Sequence, residues 1–345
     1  MTAAVRFVTA ETDAALAAAA EGLLAKEAGP DEIRDGWPGG RTERVDDLWR
    51  KLAEAGVTAT LVPESAGGLG LDENALPPLL TVLGRSGLPV PAAETVAVAA
   101  PLLAAAGAPS LDAVLAGRTL LTASLADHAS GNPPVPFAAR AGLLVLRSGD
   151  KLRLYEREEV STEPVGAVDG SRALARVTAP AGGGRPLAEG PEALDAARRR
   201  GVLATSALLV GLAERMIGLT VGHVKERRQF GVPVGSFQAV KHALADAVLA
   251  TRFARPAVWA AGWAQATGDP EAAVRTSMAK VLASDAARLV ARTAIQCHGA
   301  IGYTTEYDLH LYAKRAWALA ADWGGPAEHR DFVARELDLT GVERT

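Results

Sequence analysis

Cysteine occurs once in 345 residues, as Cys297, which excludes an internal disulfide and any multi-cysteine metal cluster and suits a reducing cytoplasm. Aromatic residues make up only 5% of the chain, few for a strand-dominated fold, whereas about half of it is apolar and alanine abounds. Neither sign of charge dominates. Lys and Arg number 36 against 40 Asp and Glu, a net charge of −4 with no massed basic face, so no electrostatic case exists for nucleic-acid binding. The densest basic run, residues 198–200, reads as the solvated start of a helix. No run holds the roughly 18 uninterrupted apolar residues of a membrane span. The opening MTAAVRFVTAETD lacks the basic segment and apolar core of a secretory leader, so neither membrane nor export is expected.

What is present is chiefly helical periodicity. From residue 11 to about 117, TDAALAAAAEGLLAKEA and DDLWRKLAEAG place apolar residues at helical spacing, with Leu48, Trp49, Leu52 and Ala55 on one face and Gly56 as a stop. Residues 92–107 are apolar but broken by Glu94 and Pro101, and read as buried helix. Pro63 and three glycines mark a loop before Asp72, which suits a helix N-cap. The period then changes. GLLVLRSGDKLRLYE reads as two strands about Ser148-Gly149-Asp150, RALARVTAP as another strand, and PAGGGRPLAEGPE as a linker. Helix returns over 192–228 and in two long segments that each end at glycine. The expectation is a mostly α fold with a small β domain: an N-terminal helical domain (1–117), a short middle β domain (118–187) and a C-terminal four-helix bundle (188–345).

Three stretches carry more than periodicity: LWRKLAEAGVTATLVPESAGGLG at 48–70, RRQFGVPVGSFQAVKHALADA at 227–247, and SMAKVLASDAARLVARTAIQCHGAIGYTTEYDLHLYAKRA at 277–316. With Arg-x-x-Phe-Gly followed by Gln238, and Gln-x-His-Gly-x-x-Gly-Tyr from Gln296, the chain resembles the acyl-CoA dehydrogenase family along essentially its whole length. The resemblance implies FAD as cofactor, with Arg227, Gln229, Phe230, Gln238, Gln296 and Gly299 forming a half-site that holds the adenosine part of a neighbouring subunit's flavin. The chemistry suits that role: a fixed guanidinium for pyrophosphate, amides for phosphate and ribose oxygens, and an aromatic face for a ring.

The same resemblance exposes losses. The family removes an α proton with a glutamate that opens the last helix, and here that position falls on Gly324 of Trp323-Gly324-Gly325-Pro326. The other position some members use, on the helix before Arg-x-x-Phe-Gly, falls near Gly201. Asp322 and Glu328 are the nearest carboxylates; their simpler role is to favour the start of the last helix, and Asp322 is the fallback base. His329 reads as a surface residue. The family's flavin-ring contacts are also missing from 121–136 and 152–160. A chain with such losses resembles the short, non-catalytic subunit of α2β2 acyl-CoA dehydrogenases that act on steroid side chains. It implies a homologous catalytic partner that binds most of the acyl-CoA, and an electron-transfer acceptor. A self-sufficient homotetramer with a displaced base, and a flavin-free scaffold, remain as alternatives.

Overall fold

The computed structural model describes residues 9–127, 133–180 and 182–339. They divide into two compact units, one of residues 9–79 and 88–201, the other of residues 80–87 and 202–339.

The first unit begins with helices α1 (Glu11–Glu27), α2 (Pro30–Asp35) and α3 (Glu43–Glu54). In α3 the helical spacing buries Val45, Leu48, Trp49 and Leu52, at about 1.5–3 kcal/mol for each large side chain. Gly56 ends the run at φ 93, and Asp72 accepts from the Asn74 amide at 2.9 Å ahead of α4 (Leu76–Ser86), whose C-terminal part belongs to the second unit. The apolar segment after residue 92 is indeed buried helix. Its first part, Ala93–Ala99, is wound as a π-helix and runs into α5 (Ala100–Ala105), followed by α6 (Leu111–Leu115).

Strands follow. β1 (Leu121–Asp127) pairs in parallel with β2 (Leu143–Ser148), which forms a hairpin with β3 (Lys151–Glu156) through Gly149 at φ 63. β4 (Ser161–Pro164) pairs with β5 (Ala175–Thr178), and β6 (Arg185–Glu189) completes a four-stranded sheet of order β1-β2-β3-β6. The linker expected over 180–192 therefore contains a strand. Its glycines, Gly184 at φ 68 and Gly190 at φ 94, flank β6, and Pro186 is tolerated because β6 is an edge. β1 likewise lies in a stretch not expected as strand, while residues 128–132, within the segment compared for ring contacts, lie outside the described residues. Val135, Ala138, Leu144, Leu146, Tyr155 and Val177 belong to the β core.

α7 (Pro191–Glu226) leads from the first unit into the second, which continues with β7 (Arg228–Gln229), β8 (Val232–Pro233), α8 (Gln238–Ala266), α9 (Ala272–His298), α10 (Leu309–Ala321) and α11 (Pro326–Glu336). A window of α7 has the length and hydropathy of a membrane span despite its charges, but 72% of that window is buried inside the molecule, as in a core helix. Ser206 and Thr220 are accepted there because each hydroxyl donates 2.7 Å to the carbonyl four residues back. α4 and α7 cross through reciprocal glycines. A Cβ on Gly84 would stand 2.2 Å from the Leu208 carbonyl oxygen, and one on Gly211 would stand 2.1 Å from that of Thr81. Arg85 clamps the crossing to Glu214 at 2.6 Å. α9 is the bundle's central helix, packed on α8, α10 and α11. α7 meets α10 where Arg215 lies 5.3 Å over the Tyr312 ring.

Candidate functional site

The exposed half of the site grows from the end of α7. The Arg227 amide closes the last turn on the His223 carbonyl at 2.9 Å, and its carbonyl accepts from Val234 at 2.8 Å, which folds the following residues into the β7–β8 hairpin. Phe230 and Gly231 form its tip, at φ 51 and φ 82. Positive φ at both central residues is what a two-residue hairpin needs, and a phenylalanine pays for it in strain. Arg228 donates 3.0 Å to the Gly231 carbonyl and braces the tip. The Phe230 ring is 92% exposed and meets only the edge of Phe237, 6.2 Å away. Gln238 opens α8 directly after Phe237, and Arg227, Gln229 and Gln238 are all exposed.

The second group stands at the end of α9. Gln296 is exposed; Gly299 ends the helix at φ 66 and ψ −141, a conformation that favours glycine. Gly302 is needed for space, since a Cβ there would lie 2.8 Å from the Ile295 carbonyl oxygen. The two groups are joined by rings. His223, one turn before Arg227, stacks on His298 at 4.2 Å and 22°, and Tyr307 closes on both at 5.9 Å and 4.7 Å. Burial lowers the pKa of His223, with Arg227 adding to it and Glu226 opposing. Burial also lowers that of His298, against the bond its Nδ1 makes to the Ala294 carbonyl at 2.7 Å. These histidines were not singled out from sequence, although His298 lies inside the Gln-x-His-Gly motif, because a stack between helices leaves no spacing to read.

An exposed guanidinium, three primary amides and an aromatic face without an apolar cover form a donor set that fits the adenosine and pyrophosphate end of a dinucleotide such as FAD.

The turn between α10 and α11 is the other half. Asp322 caps α10 and is half-buried. Trp323 and Gly324 follow at φ 56 and φ 97, and Gly325 and Pro326 start α11. A Cβ on Gly324 would stand 2.8 Å from His329 Nε2 and 3.2 Å from each carboxylate oxygen of Glu328. His329 is thus not the surface residue its lack of a motif partner suggested. It is buried at 4% exposure, because in the first turn of α11 it points back to the turn and to α9. Its Nε2 lies 3.1 Å from the Trp323 carbonyl, which can only accept, so Nε2 carries the proton and Nδ1 accepts from the Ser277 hydroxyl at 3.1 Å. Buried Lys280, one turn along α9 from Ser277, donates 2.7 Å to the Leu319 carbonyl at the end of α10. Gly201, where the sequence expectation put the other base position, is buried within α7.

The family models for the acyl-CoA dehydrogenase N-terminal and C-terminal domains match residues 10–113 and 194–337. The chain is 34% identical over 319 residues to acyl-CoA dehydrogenase IpdE2 of Mycobacterium tuberculosis, covering 92% of this chain and 93% of that protein. Among solved structures, a chain of the Tcur3481-Tcur3483 steroid ACAD superposes with a TM-score of 0.86 at 26% identity, over 97% of this chain and 100% of that one. A chain of the ChsE4-ChsE5 complex from Mycobacterium tuberculosis shares the fold with a TM-score of 0.83 at 23% identity, over 97% and 99%.

Proposed function

The chain belongs to the acyl-CoA dehydrogenase family, whose members are FAD-dependent oxidoreductases acting on acyl-CoA thioesters, and from that premise we propose that it is the base-less subunit of a heteromeric enzyme. When bound, FAD accepts the hydride in the α,β-desaturation of the thioester. Arg227, Gln229, Gln238 and Gln296 hold the adenosine and pyrophosphate end, with Phe230 against a ring and Gly299 allowing close backbone approach. The homologous partner supplies the carboxylate that takes the α proton and most of the acyl-CoA contacts.

One observation carries the reading: at Gly324 the backbone is in the left-handed region and the space for a side chain is already filled by His329 and Glu328. A glutamate there would be strained and would have to displace His329 and the Glu328 carboxylate. The half-site meanwhile presents its groups outward. The bundle supports a partner too, since α8 exposes Leu249 and Phe253, and α9 Met278 and Leu282, each pair one turn apart on a common face. The likeness to the steroid ACAD favours a bulky, steroid-derived acyl group, and the lone free thiol of Cys297 suits a reducing cytoplasm; a separate acceptor then takes the electrons from the reduced flavin.

The test is the visible spectrum and native mass of the chain alone and co-expressed with a homologous full-length partner. A colourless lone chain and a yellow mixed complex support the divided site. A yellow lone chain that oxidises an acyl-CoA overturns it in favour of a self-sufficient enzyme. The Glu328 carboxylate over Gly324 favours that second reading, with half-buried Asp322 as the other carboxylate at the turn. Glu328→Gln and Asp322→Asn would then decide between them.

A further inference from the structure

We infer that His223, His298 and Tyr307 form a pH-sensitive clasp that fastens the ends of α7 and α9 to each other and thereby sets the positions of Arg227, Gln296 and Gly299. Only its consequence for flavin rests on the function proposed above. The geometry is that of a joint. His223 lies four residues before Arg227 and His298 two after Gln296, and their rings stack at 4.2 Å and 22° with Tyr307 tilted over His298 at 4.7 Å. Each half of the cofactor site is therefore within one helical turn of the stack.

The joint is built for neutral imidazoles. His298 Nδ1 faces the Ala294 carbonyl, which can only accept, so Nδ1 carries the hydrogen and Nε2 is left as a buried lone pair without a partner among the described residues. A second proton would turn Nε2 into a donor with nothing to receive it, beside another imidazole. The charged groups acting on the three rings are known. From α7 come Arg227, which disfavours a charged His223, Glu226, which favours it, and Arg215, which acts on Tyr307; beside Tyr307 stands Asp308. His223 disfavours charge on His298, and burial, then Asp308 and Glu226, hold the Tyr307 hydroxyl protonated above its ordinary range. Both histidines titrate below the ordinary value near 6.5. A depressed folded-state pKa means that the stabilisation is complete above the ordinary value near 6.5 and is lost as pH falls from there through the lowered ones. Acid therefore opens the clasp.

Hydrogen exchange of the full chain tests this without flavin. After correction for intrinsic rates, amides in 223–237 and 294–307 should exchange about threefold faster or more at pH 5 than at pH 7.5, while the β core does not change. His298→Phe and His223→Phe keep a ring in the stack but remove its titration, and should each flatten that difference. Imidazole resonances assigned to His223 and His298, two of the chain's six histidines, should titrate below the ordinary value near 6.5, and each should vanish from the spectrum in its own variant. Unchanged acid sensitivity in both variants, or two independent titrations near 6.5, would overturn the clasp. In the flavin-carrying complex, acid release of flavin should follow the same profile and be flattened by His298→Phe. Release with an unaltered profile there would overturn the link to the half-site. A clasp that titrates as expected in a protein that never holds flavin would leave the clasp standing and remove the function proposed above.

Discussion

Replacing Gly324 by glutamate puts an L side chain at φ 97, with its Cβ 2.8 Å from His329 Nε2. The backbone term alone costs about 1–2 kcal/mol, and His329 must also yield. The variant should unfold at a lower temperature than the parent and show no acyl-CoA oxidation as a single chain; dehydrogenase activity from it would refute the divided site. His329→Ala strips the Ser277 hydroxyl and the Trp323 carbonyl of their buried partner, for a loss of about 2–3 kcal/mol in denaturant titration. Arg227 is different because it is exposed. Arg227→Ala should leave the melting temperature where it is and weaken flavin retention in the complex about tenfold or more, read as the flavin-to-protein absorbance ratio after gel filtration. The motif residues stand out in the sequence because chemistry limits what can occupy them, and the flavin-retention test of Arg227→Ala decides their role. His329 was misjudged because its partners are a serine 52 positions away and a carbonyl, neither of which makes a pattern in the chain.

The helices were legible for a plainer reason: the period of apolar residues in α3, α8 and α9 is the period of their burial. The break at Gly56 was also readable, since a left-handed backbone angle needs glycine, whereas the segment that reads as helix to Gly302 stops three residues earlier, at Gly299. β6 was not, because its flanking glycines and internal proline are linker signals until β3 is beside it. The crossing of α4 and α7 was hidden in the same way. Gly84 and Gly211 are ordinary helix interruptions in sequence and become contact points only when each faces the other helix's backbone. Gly211→Ala should therefore cost about 3 kcal/mol, a large loss for one methyl group, because the atoms it meets are main chain and cannot rotate away. Thermal unfolding of the variant would show it, and a neutral result would mean the crossing is loose.

For the assembled protein, the exposed faces of α8 and α9 set the expectation. Leu249→Glu with Phe253→Glu should leave the circular dichroism and unfolding of the lone chain unchanged, yet prevent formation of the mixed complex in native mass measurement. A complex of undiminished mass would show that the partner sits elsewhere. A lone buried helix such as α7 is a reminder that apolar length does not by itself mean a membrane: its hydropathy is spent inside the protein.

The sequence by itself determined the helical periods, the glycine stop after α3 and the motifs that resemble the family, and it set the expectation that no base stands at Gly324, all of which depend on residue type and local spacing. Only the tertiary structure decided that Gly324 has a left-handed backbone with His329 and Glu328 against it, that His329 and Lys280 are buried polar braces of the turn between α10 and α11, and that two histidines from different helices share one stack. Those facts depend on which distant segments meet. A chain records its own local preferences residue by residue, but the partner of a buried polar atom is fixed only when packing brings the two together.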